Sequence, residues 1–272
     1  MTPKLNMYYQ SINGKQKQHL SITDRGLAYG DGVFTTARVH HGNISLLSAH
    51  MERLVCSCQI LKIILPNINE IVSELTHIAQ RYEHSVVKIM ITSGQGGRGY
   101  SREGCSASTV IISFHPFPEH YNVWQRAGID LGVSHFQLGL NPSLAGLKHL
   151  NRLEQVLIRA ELDQKETDDV LVTNINGHVI ETSCANIFWL AGGKLYTPDL
   201  SESGVVGIIR NTILENLPNT NIINVGLDAL NNAEAMFICN SVMGIVPVRR
   251  YHNRNLDINK IFNLKDKLAG YM

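Results

Sequence analysis

Lys148 lies in the stretch LAGLKHLNRLEQVLIRAEL, residues 144–162, flanked by leucines and just ahead of an apolar-periodic run. Lysine is among the residues least often buried, so a lysine in such a setting raises a chemical question. Desolvation lowers the pKa of an amine and frees it to act as a nucleophile or base. A carbonyl cofactor such as pyridoxal phosphate needs such a lysine. It also needs a cradle for its phosphate and an acidic partner for its pyridine nitrogen.

The chain offers candidates for each part. Gly207, Ile208 and Ile209 open the helical run IIRNTILENL. Free backbone N–H groups at a helix N-terminus bind phosphate. Arg53, in SAHMERL, can add a positive charge, and Ser241, after an apolar strand, can donate a hydroxyl. Glu181 follows the strand GHVI and precedes the small, polar TSCAN. A carboxylate there can hold a ring nitrogen protonated. Taken singly, each residue has an ordinary alternative: a loop-to-helix turn, a solvated helix face, a strand-end glutamate. Only their combination is informative.

The run Gly94-Gln-Gly-Gly-Arg-Gly99 matches GxGxxG and follows a strand. A dinucleotide fingerprint must also open a helix. Here a loop and then a second β-branched run follow, so that reading fails. Glycines that let the backbone bend, with Arg98 able to fork onto a carboxylate, give the loop a better use.

Several elements must position these residues. Asn13-Gly14 predicts a hairpin joining NMYYQSING to KQKQHLSIT, and GVFTTARVHHGNISLL predicts a second, turning near Gly42-Asn43. Leu47, Met51, Leu54, Val55 and Cys58 fall on one helical face, as do Ile71, Leu75, Ile78 and Ala79 in the next helix. SVVKIMITSG and STVIISFHP read as strands. Pro116 and Pro118 break the pattern. The expected organisation is a small N-terminal α+β domain (1–115), a linker (116–124) and a larger C-terminal domain (125–272) carrying Lys148. In the helix after Lys148, Asn151 is the expected cap, with Glu154 reaching back to it and Leu153, Val156, Leu157 and Ala160 forming the apolar stripe. Asn176-Gly177 predicts a further hairpin, and AEAMFICNSVMGIVPVRRY a strand pair.

Composition excludes some functions. The chain has 272 residues, 44% of them hydrophobic and 17% charged, with a formal net charge of +1. A sizeable core follows, and no basic excess points to nucleic acid. The five cysteines include no CxxC pair and the twelve histidines are scattered, so neither a disulfide framework nor a metal site is expected. No run suits a signal peptide or a membrane span, and a cytoplasmic protein is expected.

Together, LAYGDGVFTTARV, SLLSAHMERL, GQGGRGYS, NPSLAGLKHLNRLEQVLIRAEL, ETSCANIFWL and GVVGIIR resemble the class-IV pyridoxal-phosphate family, over nearly the whole chain. That family also holds branched-chain and D-amino-acid aminotransferases. The resemblance implies an α+β, fold-type IV enzyme with a small N-terminal α/β domain and a larger α/β-barrel-like domain. It further implies that pyridoxal 5'-phosphate lies between the domains, and that the enzyme is a homodimer acting on a small-molecule substrate. Lys148 matches the Schiff-base lysine, Glu181 the residue facing the pyridine nitrogen, and Arg53 the phosphate arginine. Ile208, Ile209 and Ser241 match the remaining phosphate contacts. Thr36 matches a threonine that the family's lyases place near the reacting carbons, and Arg98 falls in a loop expected to meet a substrate carboxylate. The aminotransferases typically carry F-E-G where this chain has Phe34-Thr35-Thr36. The resemblance therefore leans to the lyase branch, which converts 4-amino-4-deoxychorismate to 4-aminobenzoate and pyruvate in folate synthesis. The alternative is an aminotransferase for D- or branched-chain amino acids.

Overall fold

The computed structural model describes residues 8–96, 99–105, 107–268 and 270. Arg98, one of the candidate residues, lies outside them. The chain divides into two compact units, residues 1–118 with 148–151, and 119–147 with 152–272. The segment Lys148–Asn151 thus belongs to the first unit, although it lies far along the chain. The division at Pro118–Glu119 falls within the proline-broken stretch.

The first unit holds β1 (Gln10–Ile12), α1 (Arg25–Tyr29), β2 (Gly32–His40), β3 (Asn43–Ile44), α2 (Leu47–Ile60), α3 (Ile68–Ala79), β4 (His84–Thr92) and β5 (Thr109–Pro116). Its sheet is antiparallel, in the order β1-β5-β4-β2-β3. Strand alternation divides β2 cleanly. Val33, Thr35, Ala37 and Val39 are buried, whereas Phe34, Thr36 and Arg38 on the other face are half-buried. Val33, Ala37 and Val39 pack with Met51, Leu54 and Cys58 of α2 and Ile71, Leu75 and Ile78 of α3. The face read from the periodicity of α3 is the buried one, and Asn67 caps that helix at 3.1 Å.

The first hairpin forms only in part. Asn13 and Gly14 take positive φ, 51° and 70°, as a primed turn requires. Lys15 then bridges Ile12, and no further strand follows from the KQKQHLSIT run. Instead β1 pairs with β5, where the Asn13 side chain accepts from Val110 N–H at 2.8 Å.

The second unit holds α4 (His120–Ala127), β6 (Ile129–Leu138), α5 (Leu153–Leu162), β7 (Asp169–Asn174), β8 (Val179–Thr182), β9 (Asn186–Ala191), β10 (Lys194–Pro198), α6 (Ile208–Asn216), β11 (Asn221–Ile223), β12 (Ala235–Asn240), β13 (Gly244–Tyr251), β14 (Arg254–Asn255) and α7 (Asn259–Leu268). Its mixed sheet runs β11-β10-β9-β12-β13-β6-β7-β8, with β14 beside β13. At the far edge, Thr182 N–H donates to Ala185 O at 2.8 Å as β8 leads into β9, so the sheet curls back on itself like half a barrel. Its central strands are buried on both faces, which explains their continuous apolar runs.

Helix α5 departs from expectation. Arg152 occupies the N-cap position, with no side-chain cap. The Asn151 amide donates to Gly30 O at 3.1 Å, and the Glu154 carboxylate accepts from Gly139 N–H at 2.9 Å. Tertiary partners have taken both members of the expected capping box. Ile158 and Leu162 form the buried face, against β6 and β7, while Leu153, Val156 and Leu157 are exposed in the single chain.

Candidate active site

Lys148 is held by backbone pairing. Next to the first residues of β2 the sheet edge is open, because β3 reaches only Val39 and His40. The 148–150 segment fills it. Phe34 N–H donates to Lys148 O, and Leu150 N–H to Gly32 O, both at 2.9 Å. The Lys148 ammonium lies 4.6 Å from the centroid of the Phe34 ring, and the Lys88 ammonium 4.9 Å. A ring face attracts cations. Thr36 stands two residues from Phe34 on the same face of β2 and directly opposite Lys88 on β4. Burial pushes the Lys88 ammonium below its ordinary pKa. The structure thus brings Lys148, Thr36, Phe34 and Lys88 to one face of one sheet. Lys88 was not singled out in the sequence, where a lone lysine in the strand VVKIMI reads as solvated.

Arg53 lies on α2, half-buried, and burial lowers its guanidinium to about 10, so it remains charged at neutral pH. One turn earlier, His50 is fully buried. Burial, with the charges of Arg53 and Lys148, holds its imidazole down to about 3, so it is neutral.

The second unit carries the other candidates. Glu181, on β8, is 6% exposed. Its carboxylate accepts from Val205 N–H at 2.9 Å and from the Gln155 amide at 3.4 Å. These bonds let a charged carboxylate persist in a buried setting. Gly204 makes room for it. Its φ is +83°, and an added Cβ would sit 2.6 Å from Ile180 and 3.4 Å from the carboxylate itself.

Helix α6 starts at Ile208, after Gly207, with no side chain capping it. Gly207 N–H donates to the Asn186 side chain at 3.0 Å, and the Asn186 amide donates to Val205 O at 2.9 Å. A Cβ on Gly207 would lie 2.1 Å from that Asn186 oxygen, so the Asn186 side chain would have to move. The N–H groups of Ile208 and Ile209 are therefore first-turn donors whose helix offers them no acceptor. Ser241 lies half-buried in the turn between β12 and β13, and α6 packs on β12. Asn240 fixes that turn, accepting from the N–H groups of Val242 and Met243 at 2.9 Å. Asn186 and Asn240 were not foreseen. Their importance comes from backbone contacts that spacing does not reveal.

The first unit thus carries an anchored lysine and a half-buried arginine, and the second an uncapped helix start and a buried, hydrogen-bonded carboxylate. Comparison with known proteins gives the family. Residues 32–251 match the family model for class IV aminotransferases, and the chain belongs to that family. Among its relatives is the aminodeoxychorismate lyase of Vibrio harveyi, 39% identical over 241 residues that cover 87% of this chain and 89% of that one. The crystal structure of 4-amino-4-deoxychorismate lyase from Pseudomonas aeruginosa superposes with a TM-score of 0.90 at 34% identity, covering 96% and 98% of the two chains. The PLP-bound form of a hypothetical aminotransferase from Mycobacterium tuberculosis shares the fold, with a TM-score of 0.81 at 18% identity over 94% of this chain and 93% of that one.

Proposed function

We propose that this chain is a pyridoxal 5'-phosphate-dependent lyase that converts 4-amino-4-deoxychorismate to 4-aminobenzoate and pyruvate, a cytoplasmic homodimer serving folate synthesis. The observation that carries this reading is the shared face of β2. Thr36 brings a hydroxyl to the face on which the Lys148 and Lys88 ammonium groups meet Phe34. The likeness to the two lyases supports it.

When bound, the cofactor supplies an electron sink. Lys148 would hold its carbonyl carbon. Arg53, Ser241 and the backbone N–H groups of Ile208 and Ile209 would hold its phosphate, and Glu181 would keep its ring nitrogen protonated. The Lys148 amine would also serve as the base that takes the proton from the substrate ring carbon bearing nitrogen. The substrate ring becomes aromatic as its enolpyruvyl group leaves. Thr36, or a water it orders, protonates the departing methylene carbon, which completes pyruvate. Arg98 clamps a carboxylate of the dianionic substrate.

The test adds purified protein and pyridoxal phosphate to 4-amino-4-deoxychorismate and follows both products. Equal release of 4-aminobenzoate and pyruvate, abolished in Lys148→Ala, is expected. No release, or release that survives Lys148→Ala, would overturn the reading.

A further inference from the structure

Asn186 opens β9, is 4% exposed and uses both ends of its amide. Its Nδ2 donates to Val205 O at 2.9 Å, and its Oδ1 accepts from Gly207 N–H at 3.0 Å. An amide offers a donor and an acceptor from one short planar group, whereas a carboxylate of the same shape has no donor. Asn186 thus spans Val206 and fixes the residues that lead into α6.

The same segment is pinned from other sides. Val205 N–H donates to Glu181 Oε2 at 2.9 Å. Gly204 O accepts from Gly146 N–H at 3.0 Å, and Val206 N–H donates to Gly146 O at 3.1 Å, so that Gly146 and Val205 form a parallel bridge. Both peptide groups flanking Val205 therefore have their N–H and their carbonyl paired. Two glycines permit this close approach. Their φ values are +83° at Gly204 and +78° at Gly146, and a Cβ on Gly146 would lie 3.0 Å from Val206 Cγ2. Val205 stands between two parts of the candidate site. Its N–H holds the Glu181 carboxylate, and its carbonyl is tied through Asn186 to the N–H just ahead of α6. Supporting hydrogen bonds of this kind lock the geometry of the groups they reach.

We propose that Asn186 is a positioning residue that couples the two ends of the cofactor site, setting the Glu181 carboxylate and the N–H groups of Ile208 and Ile209 through one pinned strap, Gly204–Gly207. The inference rests on the cofactor reading, in which Glu181 faces the ring nitrogen and the start of α6 takes the phosphate. Asn186→Ala tests it, with Asn186→Ser as a milder change that keeps a polar group but is too short to span both partners. Three quantities are read: the affinity for pyridoxal phosphate, the absorbance spectrum of the bound cofactor at saturation, and amide hydrogen exchange at Val205 and Gly207. In Asn186→Ala, affinity is expected to fall by about tenfold, the size of one or two lost hydrogen bonds. The spectrum at saturation should move in the direction produced by Glu181→Gln, and both amides should exchange faster. Asn186→Ser should show smaller changes of the same sign. Wild-type affinity in both variants would overturn the positioning role. Weakened affinity with a wild-type spectrum and unchanged exchange at Val205 would confine Asn186 to the phosphate end and overturn the coupling. If Asn186→Ala does not fold, Asn186→Ser decides. If the wild-type protein binds no pyridoxal phosphate, the cofactor reading has failed, and exchange alone judges the strap: wild-type rates at Val205 and Gly207 in the variants would overturn it.

Discussion

Thr35 and His50 are fully buried on the core side of β2, with the Thr35 hydroxyl 2.6 Å from His50 Nδ1. The other ring nitrogen, Nε2, is buried with no hydrogen-bond partner among the described residues. Desolvation, reinforced by Arg53 and Lys148, holds this imidazole neutral, with its pKa moved from 6.5 to about 3. Between those values the unfolded chain binds a proton that the folded chain refuses. His50 therefore leaves stability intact above about pH 6.5 and erodes it as pH falls toward 3. Chemical unfolding measured from pH 7 to 4 should show a steady loss on the order of a few kcal/mol. The slope should flatten in His50→Gln. Equal slopes in the two proteins would show that His50 does not govern this window.

Gly207→Ala should damage the phosphate cradle without touching a charged group. The added methyl would displace the Asn186 side chain, which holds Gly207 N–H at 3.0 Å. Overpacking of this kind costs about 1–3 kcal/mol. Titration with pyridoxal phosphate, followed by absorbance, should show affinity weakened by about tenfold or more, as expected when a first-turn anion site is displaced. An unchanged affinity would place the phosphate elsewhere.

Much of this architecture was legible in the residues, and the failures share a cause. The buried face of α3 followed from its 3.6-residue period, because that face is set by its own chain. The cap of α5 did not follow, because Gly30 O and Gly139 N–H, distant in sequence, outcompete the helix for Asn151 and Glu154. The same divide runs through the candidate site. Lys148, Glu181 and Gly207 drew attention by type and local setting, and their proposed roles rest on resemblance to a family. Lys88 and Asn186 act through cross-strand or backbone contacts, which no local pattern announces.

Glu161 should govern stability in acid. It ties the end of α5 to β6, accepting from Ser134 Oγ at 2.6 Å and His135 N–H at 2.9 Å and pairing with Lys165 at 2.6 Å. Burial works against its charge, but the bonds from Lys165, Ser134 and His135 hold its carboxyl far below the ordinary value of 4.5. Its contribution is present above about pH 4.5 and lost as pH falls toward the depressed folded value. Glu161→Gln should cost about 1–3 kcal/mol at pH 7. Thermal unfolding should show that the gap from wild type narrows below pH 4. A gap that stays constant with pH would mean that the glutamine loses packing rather than charge.

Thr36 and Lys88 face each other across β2 and β4, and their variants should separate chemistry from binding. If Thr36 supplies or orders the proton donor to the leaving group, Thr36→Ala should lower kcat by roughly 10²-fold or more, the size expected of a lost proton-transfer group. The bound, yellow cofactor should be retained. Lys88 brings a desolvated cation to the same face, beside the Phe34 ring. If it attracts the substrate's carboxylates, Lys88→Met should raise KM by about tenfold with a smaller change in kcat, the signature of lost uniform binding. A Thr36→Ala protein that loses the cofactor would make Thr36 a binding residue. A Lys88→Met protein with reduced kcat and unchanged KM would move Lys88 from substrate binding to the chemical step.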